Sequence, residues 1–249
     1  MRFHVLTLFP HSFPGPLGDS ILGMACQRGL ISIQVTDVRD YTHDAHGTAD
    51  DYQFGGGPGM VMKPEPIFES VESVLADLAP ADRLEAQVIL MSPQGEVFNQ
   101  QMAQDLASST DLVLICGHYA GVDERVRQHL ITREVSIGDF VLTGGELAAM
   151  AMIDTISRLA PGVVGSMHNV EHDSISSGLL QNPLYTRPAK FRNMEVPAIL
   201  RSGHHAQIEQ WRRRESLRRT LERRPGMLDA AQLTGEDLEY LRSLGYNRA

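Results

Sequence analysis

Leu112-Val113-Leu114-Ile115-Cys116-Gly117-His118-Tyr119-Ala120-Gly121 carries the signal that sets the fold class. Five consecutive apolar residues ending in a glycine are too short for a helix and do not alternate. They read as a strand buried on both faces, which is the pattern of a parallel sheet sandwiched between helices. Working outward, Val88 to Met91 is a second strand of this kind, and Gln100 to Leu106 supplies the helix between the two. Earlier in the chain, a strand near Phe3 to Phe9 leads to a helix from about Asp19 to Arg28 that stops at Gly29. The alternating Ile31, Ile33 and Val35 then complete a βαβ unit. An amphipathic helix is predicted around Ile67 to Leu78, and a last one from Glu146 to Leu159 closes the domain at Pro161-Gly162. Repeated β-α alternation predicts an α/β fold, a parallel sheet with helices on both faces.

In an open parallel sheet, ligands bind at the loops leaving the carboxyl ends of the strands. Three loops qualify: Ser92-Pro93-Gln94-Gly95, Gly117 through Arg125, and Ser136-Ile137-Gly138-Asp139-Phe140-Val141-Leu142-Thr143-Gly144-Gly145. Each is rich in glycine or turn residues, so backbone N–H and C=O groups can reach a ligand directly. Any one glycine is explained equally well by a tight turn; three such loops at three strand ends point to a site. The run Gly55-Gly56-Gly57-Pro58-Gly59 has neither the order G-x-G-x-x-G nor the P-loop spacing. It reads as a rigid turn, shaped to lie against a nucleobase or backbone, since Pro58 fixes one φ while its neighbours can take positive φ.

The chain of 249 residues, 42% hydrophobic, is long enough for one large domain and a small second one. The expected division is 1–162 for the α/β domain, 163–178 for a flexible linker and 179–249 for a small, mainly helical domain, with helices near His205 to Arg223 and Thr234 to Ser243. No apolar run is long enough to cross a bilayer, and a cytoplasmic protein is expected. Cys26 and Cys116 sit in apolar segments and read as buried thiols rather than a disulfide or metal ligands. The net charge of −9 argues at first against nucleic acid, but residues 187–224 hold 11 Lys and Arg against 4 Asp and Glu. A solvated helix face explains these arginines as well as RNA binding does. His168-Asn169-Val170-Glu171-His172 matches the H-x-x-E-H order of one zinc-protease class, yet it lies between glycine- and serine-rich segments without a helical stripe, and we read it as a chance match. His43-Asp44-Ala45-His46 likewise offers ligands without a framework, and no metal site is expected.

Taken in order, Gly55 to Met60, the Cys116-Gly117 loop ending Asp123-Glu124-Arg125, Ser136 to Asp139 continuing to Gly144-Gly145-Glu146, and Tyr185-Thr186-Arg187-Pro188 resemble the TrmD family of bacterial tRNA (guanine-N1)-methyltransferases. The resemblance runs over nearly the whole chain. It implies the SPOUT class with a deep trefoil knot in the first domain, which the pattern itself does not reveal because knots are almost absent among folds. It also implies S-adenosylmethionine as cofactor, a homodimer with the active site at the subunit interface, and a tRNA substrate with guanosine immediately 3′ of the anticodon. A Mg²⁺ requirement is left open. Gly117, Ile137, Gly138, Phe140, Leu142, Gly144 and Gly145 match cofactor contacts made largely through backbone, with Ser92, Pro93, Tyr119, Gly121, Asp139 and Val141 as neighbouring candidates. Asp173 matches the general base and Arg158 the catalytic arginine. Asp50 matches a position contacting substrate bases; Gly57, Gly59, Arg187, Arg212 and Arg218 are the further RNA-binding candidates.

The chain departs from the family pattern at several places. Gly117-His118-Tyr119-Ala120-Gly121 stands where Gly-Arg-Tyr-Glu-Gly is usual, Phe140 replaces a tyrosine, Ala148 a proline, and Tyr52-Gln53-Phe54 an Arg-Pro-Tyr run. Competing readings are a knotted methyltransferase with another RNA target, a cofactor- and RNA-binding protein without catalysis, and, more remotely, a zinc hydrolase.

Overall fold

The computed structural model describes residues 1–165 and 173–246. The H-x-x-E-H string at 168–172 lies outside them. Contacts divide the chain into two compact units, Met1–Gly165 and Ser166–Ala249.

The first unit is built on five parallel strands, β1 (Arg2–Thr7), β2 (Ser32–Asp37), β5 (Gln87–Val97), β6 (Asp111–Cys116) and β7 (Arg133–Ser136), in the spatial order β2-β1-β6-β5-β7. The run that decides the sequence reading is the central strand, β6, and every residue of it is buried. Its side chains alternate between two cores. Leu112, Leu114 and Cys116 pack with Phe3, Val5, Ile89 and Met91 of neighbouring strands and with α2 (Ser20–Gln27), α5 (Gln100–Leu106) and α7 (Glu146–Ser157). Val113 and Ile115 pack on the other face with Leu6, Val88 and Leu90, against Ile67 and Val71 of α3 (Pro64–Ala76) and Val126 of α6 (Glu124–His129). Helices on both faces explain why these strands are unbroken apolar runs: neither side faces water. The remaining helices of this unit are α1 (Pro14–Gly18) and α4 (Pro80–Glu85).

Two local features differ from the sequence expectation. The strand expected to end at Met91 continues to Val97, but not regularly. Met91 and Glu96 both pair with Val135, so the four residues Ser92–Gly95 bulge out between them. Gly95 closes that bulge directly against β7. A Cβ there would overlap the backbone of Glu134 and Val135, a steric demand that only glycine meets. The polar stretch before α3, to which the sequence assigns no strand, contains an antiparallel ribbon of β3 (Asp50–Tyr52) and β4 (Met60–Met62), with Asp50 opposite Met62 and Tyr52 opposite Met60. The glycine run forms its tip. Gly55, Gly56, Gly57 and Gly59 all take positive φ around Pro58, a conformation closed to most side chains. With few β-branched residues in three-residue strands, the ribbon leaves almost no periodic signal.

The second unit has its own small core, in which Leu179, Leu217, Leu228, Ala231 and Leu241 bring together α8 (His205–Arg223), α9 (Met227–Ala230) and α10 (Gly235–Ser243). A capping box starts α10: Thr234 accepts from the Asp237 backbone N–H, and the Asp237 carboxylate accepts from that of Thr234. Before the helices lies a two-stranded hairpin, β8 (Lys190–Phe191) and β9 (Met194–Glu195), an addition to the mainly helical expectation.

Candidate ligand cleft at the strand ends

A cleft of about 190 Å³ opens at the bulge in β5 and the carboxyl ends of β6 and β7. All three loops singled out in the sequence line it, through Ser92 and Pro93, through Gly117, Tyr119 and Gly121, and through Ile137, Phe140, Val141, Leu142, Gly144 and Gly145. Gly138 and Asp139 do not line it, although they belong to the third loop. Gly138 acts one step removed. At φ 148° its bare Cα faces the Phe140 ring, which an added Cβ would approach to 2.6 Å, so the glycine sets where that ring can lie. Sequence reading missed Gln94, His118, Ala120, Arg127, Thr143 and Ala148, which also line the cleft. All but Arg127 and Ala148 lie inside the three loops and were findable by loop membership alone.

Main-chain bonds join the second and third loops. Gly145 N–H donates to the Gly117 carbonyl at 2.8 Å, and His118 and Gly144 form an antiparallel bridge. Gly145 is wedged where a Cβ would come within 2.8 Å of both the Cys116 Cα and the Met91 Cβ. The ribbon joins as well: Ala120 N–H donates to Met60 O at 3.0 Å, Met62 N–H to Gly121 O at 2.9 Å and Asp123 N–H to Met62 O at 3.0 Å. Asp50, Gly57 and Gly59 therefore belong to an element stitched to the loop that contains Tyr119, and the Ala120 methyl lies 3.3 Å from the Cβ position of Gly59.

Beneath the cleft, Glu146 begins α7, buried, where its carboxylate faces the helix amino end and accepts the Thr7 hydroxyl at 2.8 Å. Burial, and then the charge of Glu146, push the Cys116 thiol well above its usual range, so it stays protonated. The His118 ring lies tilted against Phe9, 4.8 Å between centroids, and meets Tyr119 edge-on at 5.0 Å. Among the described residues its buried Nδ1 has no hydrogen-bond partner, and Tyr119 holds a positive φ of 57°. On the open side Phe140 and Val141 are 54% and 80% exposed. Backbone polar groups, an orphaned ring nitrogen and exposed apolar side chains suit a ligand with a flat heterocycle and a polar tail, and S-adenosylmethionine has both.

A larger apolar groove of about 540 Å³ lies on the flank formed by α1, α2 and β2. It is away from the strand ends and lacks this convergence of loops. Among the described residues no group of three or more His, Cys, Asp or Glu could hold a metal ion. Of the earlier histidine cluster, His43 pairs with Glu69 at 2.8 Å, and Asp44 accepts from the His46 and Thr48 backbones. Nor is any described helix long and apolar enough to cross a membrane.

The other candidates are placed as follows. Arg158 is the half-buried residue closing α7 in the first unit, and Asp173 is half-buried in the second. Arg187 is exposed ahead of the β8–β9 hairpin. Arg212 and Arg218 are on α8 but not idle there: Arg212 pairs with Glu209 at 2.7 Å, and Arg218 is held between Glu215 and Glu222. Arg213 bonds Asp237 and the Gln232 carbonyl, and Arg219 the Gln181 carbonyl. Part of the basic cluster thus serves the unit's own structure.

A doubly covered parallel sheet, with a backbone-lined cleft across three adjacent strands, defines the first unit as an α/β domain of the ligand-binding kind. The particular group is fixed by comparison with known proteins. Residues 1–230 match the family model described as tRNA (Guanine-1)-methyltransferase TrmD, and the chain belongs to that family. It is 54% identical over 237 residues to a tRNA (guanine-N(1)-)-methyltransferase of Dehalococcoides mccartyi, covering 95% of this chain and 94% of the relative. To proteins of the same name from Brevibacillus brevis and Moorella thermoacetica it is 52% identical over 98% of its own length, and 98% and 96% of theirs.

Proposed function

We propose that this chain transfers the methyl group of S-adenosylmethionine to N1 of the guanine immediately 3′ of the anticodon, position 37, in tRNA. The observation that carries the reading is the cleft: three glycine-containing loops at the bulge of β5 and the ends of β6 and β7, the last two bonded to each other through main chain, in a chain 54% identical to a relative named tRNA (guanine-N(1)-)-methyltransferase. When bound, the cofactor supplies an electrophilic methyl group on a sulfonium. What the protein must add is a nucleophile, because guanine N1 carries a proton at neutral pH.

Asp173 is the group we assign to that proton. With the cofactor bound, the Asp173 carboxylate would accept the N1 proton as the methyl group moves from sulfur to nitrogen, leaving S-adenosylhomocysteine. Negative charge developing on O6 as the proton leaves is met by the Arg158 guanidinium, an interaction stronger in the transition state than before it. The guanine has to leave the anticodon-loop stack to be reached, and the Asp50–Met62 ribbon, stitched to the Tyr119 loop, is the element we assign to holding the neighbouring bases. The family relation further supports a deep trefoil knot through the β5, β6 and β7 loops, a homodimer sharing its active sites, and work in the cytoplasm.

The test is methyl transfer from labelled S-adenosylmethionine to an unmodified tRNA transcript bearing guanosine 3′ of the anticodon, beside one bearing adenosine there. Label on the first alone, mapped to N1, is the expected result. Label on neither, with cofactor still bound, would overturn it in favour of another RNA target or of binding without transfer, the reading that Ala120 in place of glutamate invites. Repeating the assay with a chelator decides the Mg²⁺ requirement. Asp173→Ala is expected to abolish transfer with cofactor affinity nearly unchanged; full activity in that variant would remove Asp173 from the mechanism.

A further inference from the structure

We infer that the hairpin Lys190–Glu195 is a landing site for an unpaired RNA base, with Phe191 as the stacking plane and Arg187, Lys190 and Arg192 as phosphate partners. The inference rests on the tRNA reading above and adds a contact that reading does not require.

In the antiparallel register Phe191 faces Met194 and Lys190 faces Glu195, so each pair shares one side of the ribbon. Phe191 and Met194 are 55% and 61% exposed, and Leu184 and Tyr185 just before them are also half exposed or more. None of the four joins the unit's core, which is made by Leu179, Leu217, Leu228, Ala231 and Leu241. Two-residue strands gain little stability alone, so this apolar face is not explained by folding.

The charge around it selects the partner. Residues 184–195 contain Arg187, Lys190 and Arg192 against Glu195 alone, in a chain of net charge −9. Arg187 makes no hydrogen bond or ion pair among the described residues. Lys190 and Glu195 meet at 3.2 Å, but both are more than half exposed, the kind of weakly held pair that a phosphate can replace. Arg192 occupies the hairpin turn at φ 54°, a conformation that favours Gly or Asn, and places its guanidinium 5.3 Å over the Phe191 ring. An aromatic plane ringed by loosely held cations is the arrangement that grips single-stranded nucleic acid, where bases stack and phosphates pair. On α8, by contrast, Arg213 is held by the buried Asp237 and Arg218 by two carboxylates.

The experiment is equilibrium binding of fluorescently labelled, unmodified tRNA to the full chain over a series of salt concentrations, with the oligomeric state followed by sedimentation. Wild type is measured first, for both binding and methyl transfer. Phe191→Ala is expected to weaken tRNA binding roughly tenfold, Phe191→Leu to be as poor, and Phe191→Trp to restore it, because a base needs a flat partner rather than mere apolar bulk. Lys190→Ala and Arg192→Ala are each expected to lower the slope of log affinity against log salt by about one, while Phe191→Ala leaves that slope unchanged. Unchanged affinity in Phe191→Ala overturns the inference. So does full rescue by Leu, or a shift in oligomeric state without a loss of tRNA, which would make this face a contact between copies of the chain. If the hairpin variants behave as wild type while wild type methylates tRNA, only this inference falls. If wild type neither binds nor methylates tRNA, both readings fall.

Discussion

Arg2 and Asp111, 109 residues apart in the chain, meet through two 2.6 Å hydrogen bonds at the amino ends of β1 and β6. Asp111 is fully buried, accepts His4 Nε2 at 3.0 Å as well, and is linked through Arg2 to Asp82 at 2.7 Å. Burial alone would raise the Asp111 pKa, but the Arg2 and His4 bonds outweigh it and hold the carboxyl below its usual range. A group so depressed stabilises the fold above its unfolded pKa, about 3.9, and the contribution is lost as pH falls through the lower, folded value. Asp111→Asn is therefore expected to cost on the order of 3 kcal/mol near neutral pH, at the low end for breaking a buried pair because Arg2 is partly exposed. The gap from wild type should narrow below about pH 4. Urea unfolding across pH checks both; a gap that widens in acid would exclude the carboxylate as its source.

The bond from Thr7 to Glu146 ties the end of β1 to the start of α7 beneath the cleft. Thr7→Val keeps the shape but removes both this donor and the acceptor of the Phe9 N–H at 2.9 Å, and we expect a loss of roughly 1–3 kcal/mol, restored by Thr7→Ser. The same burial keeps Cys116 protonated. A thiol reagent at about pH 8 is expected to label the half-buried Cys26 in the native chain and to reach Cys116 only after denaturation. Two thiols modified in the native state would contradict the packing around β6.

Gly95→Ala and Gly145→Ala test two close approaches. Neither position has a flexible side chain to move aside: Gly95 faces the backbone of β7, and Gly145 faces Cys116 Cα and Met91 Cβ. Each variant is expected to lose roughly 1–3 kcal/mol of stability from overpacking. Each should also bind S-adenosylmethionine at least tenfold more weakly, read by calorimetry. Gly15→Ala, where an added Cβ meets nothing within 4 Å, is the control expected to leave cofactor binding alone.

Arg212 and Arg213 are neighbours with opposite expected phenotypes. Arg213 holds Asp237, which burial would raise but the Arg213 and Thr234 bonds keep low. Arg213→Ala should therefore loosen the second unit and lower its melting temperature. Among the described residues Arg212 pairs only with the exposed Glu209, and Arg212→Ala should leave melting unchanged while reducing tRNA affinity and its salt dependence. Equal melting temperatures for the two variants would contradict this division.

The parts of the fold that were legible in the sequence are those whose burial leaves a pattern. Leu112 to Cys116 is apolar throughout because both faces of β6 are covered, and Gly29 marks the end of α2 because it takes φ 68° there. The β3–β4 ribbon was not legible: Asp50–Tyr52 and Met60–Met62 are too short for any period to repeat. The register shift in β5 was hidden for another reason. Ser92 to Gly95 reads as a turn, and nothing local says that pairing with β7 resumes at Glu96. In the site, the loops were found from glycine content, whereas Arg127 and Ala148 reach the cleft from helices α6 and α7, where no composition signal marks them. The arginine cluster was legible as charge but not as structure, since the carboxylates that occupy Arg213 and Arg218 are brought by α10 and by adjacent turns of α8.

The bonds joining Gly145 to Gly117, Ala120 to Met60 and Met62 to Gly121 all run between peptide groups. A framework written in the backbone does not depend on which side chains hang from it, so positions 118, 120 and 140 are free to drift during evolution without dismantling the cleft. The glycines cannot. Resistance to a competitive inhibitor seated on this framework should therefore arise at His118, Ala120 or Phe140, where a new side chain can crowd the compound, and rarely at Gly95, Gly117 or Gly145, where any change would injure the enzyme first.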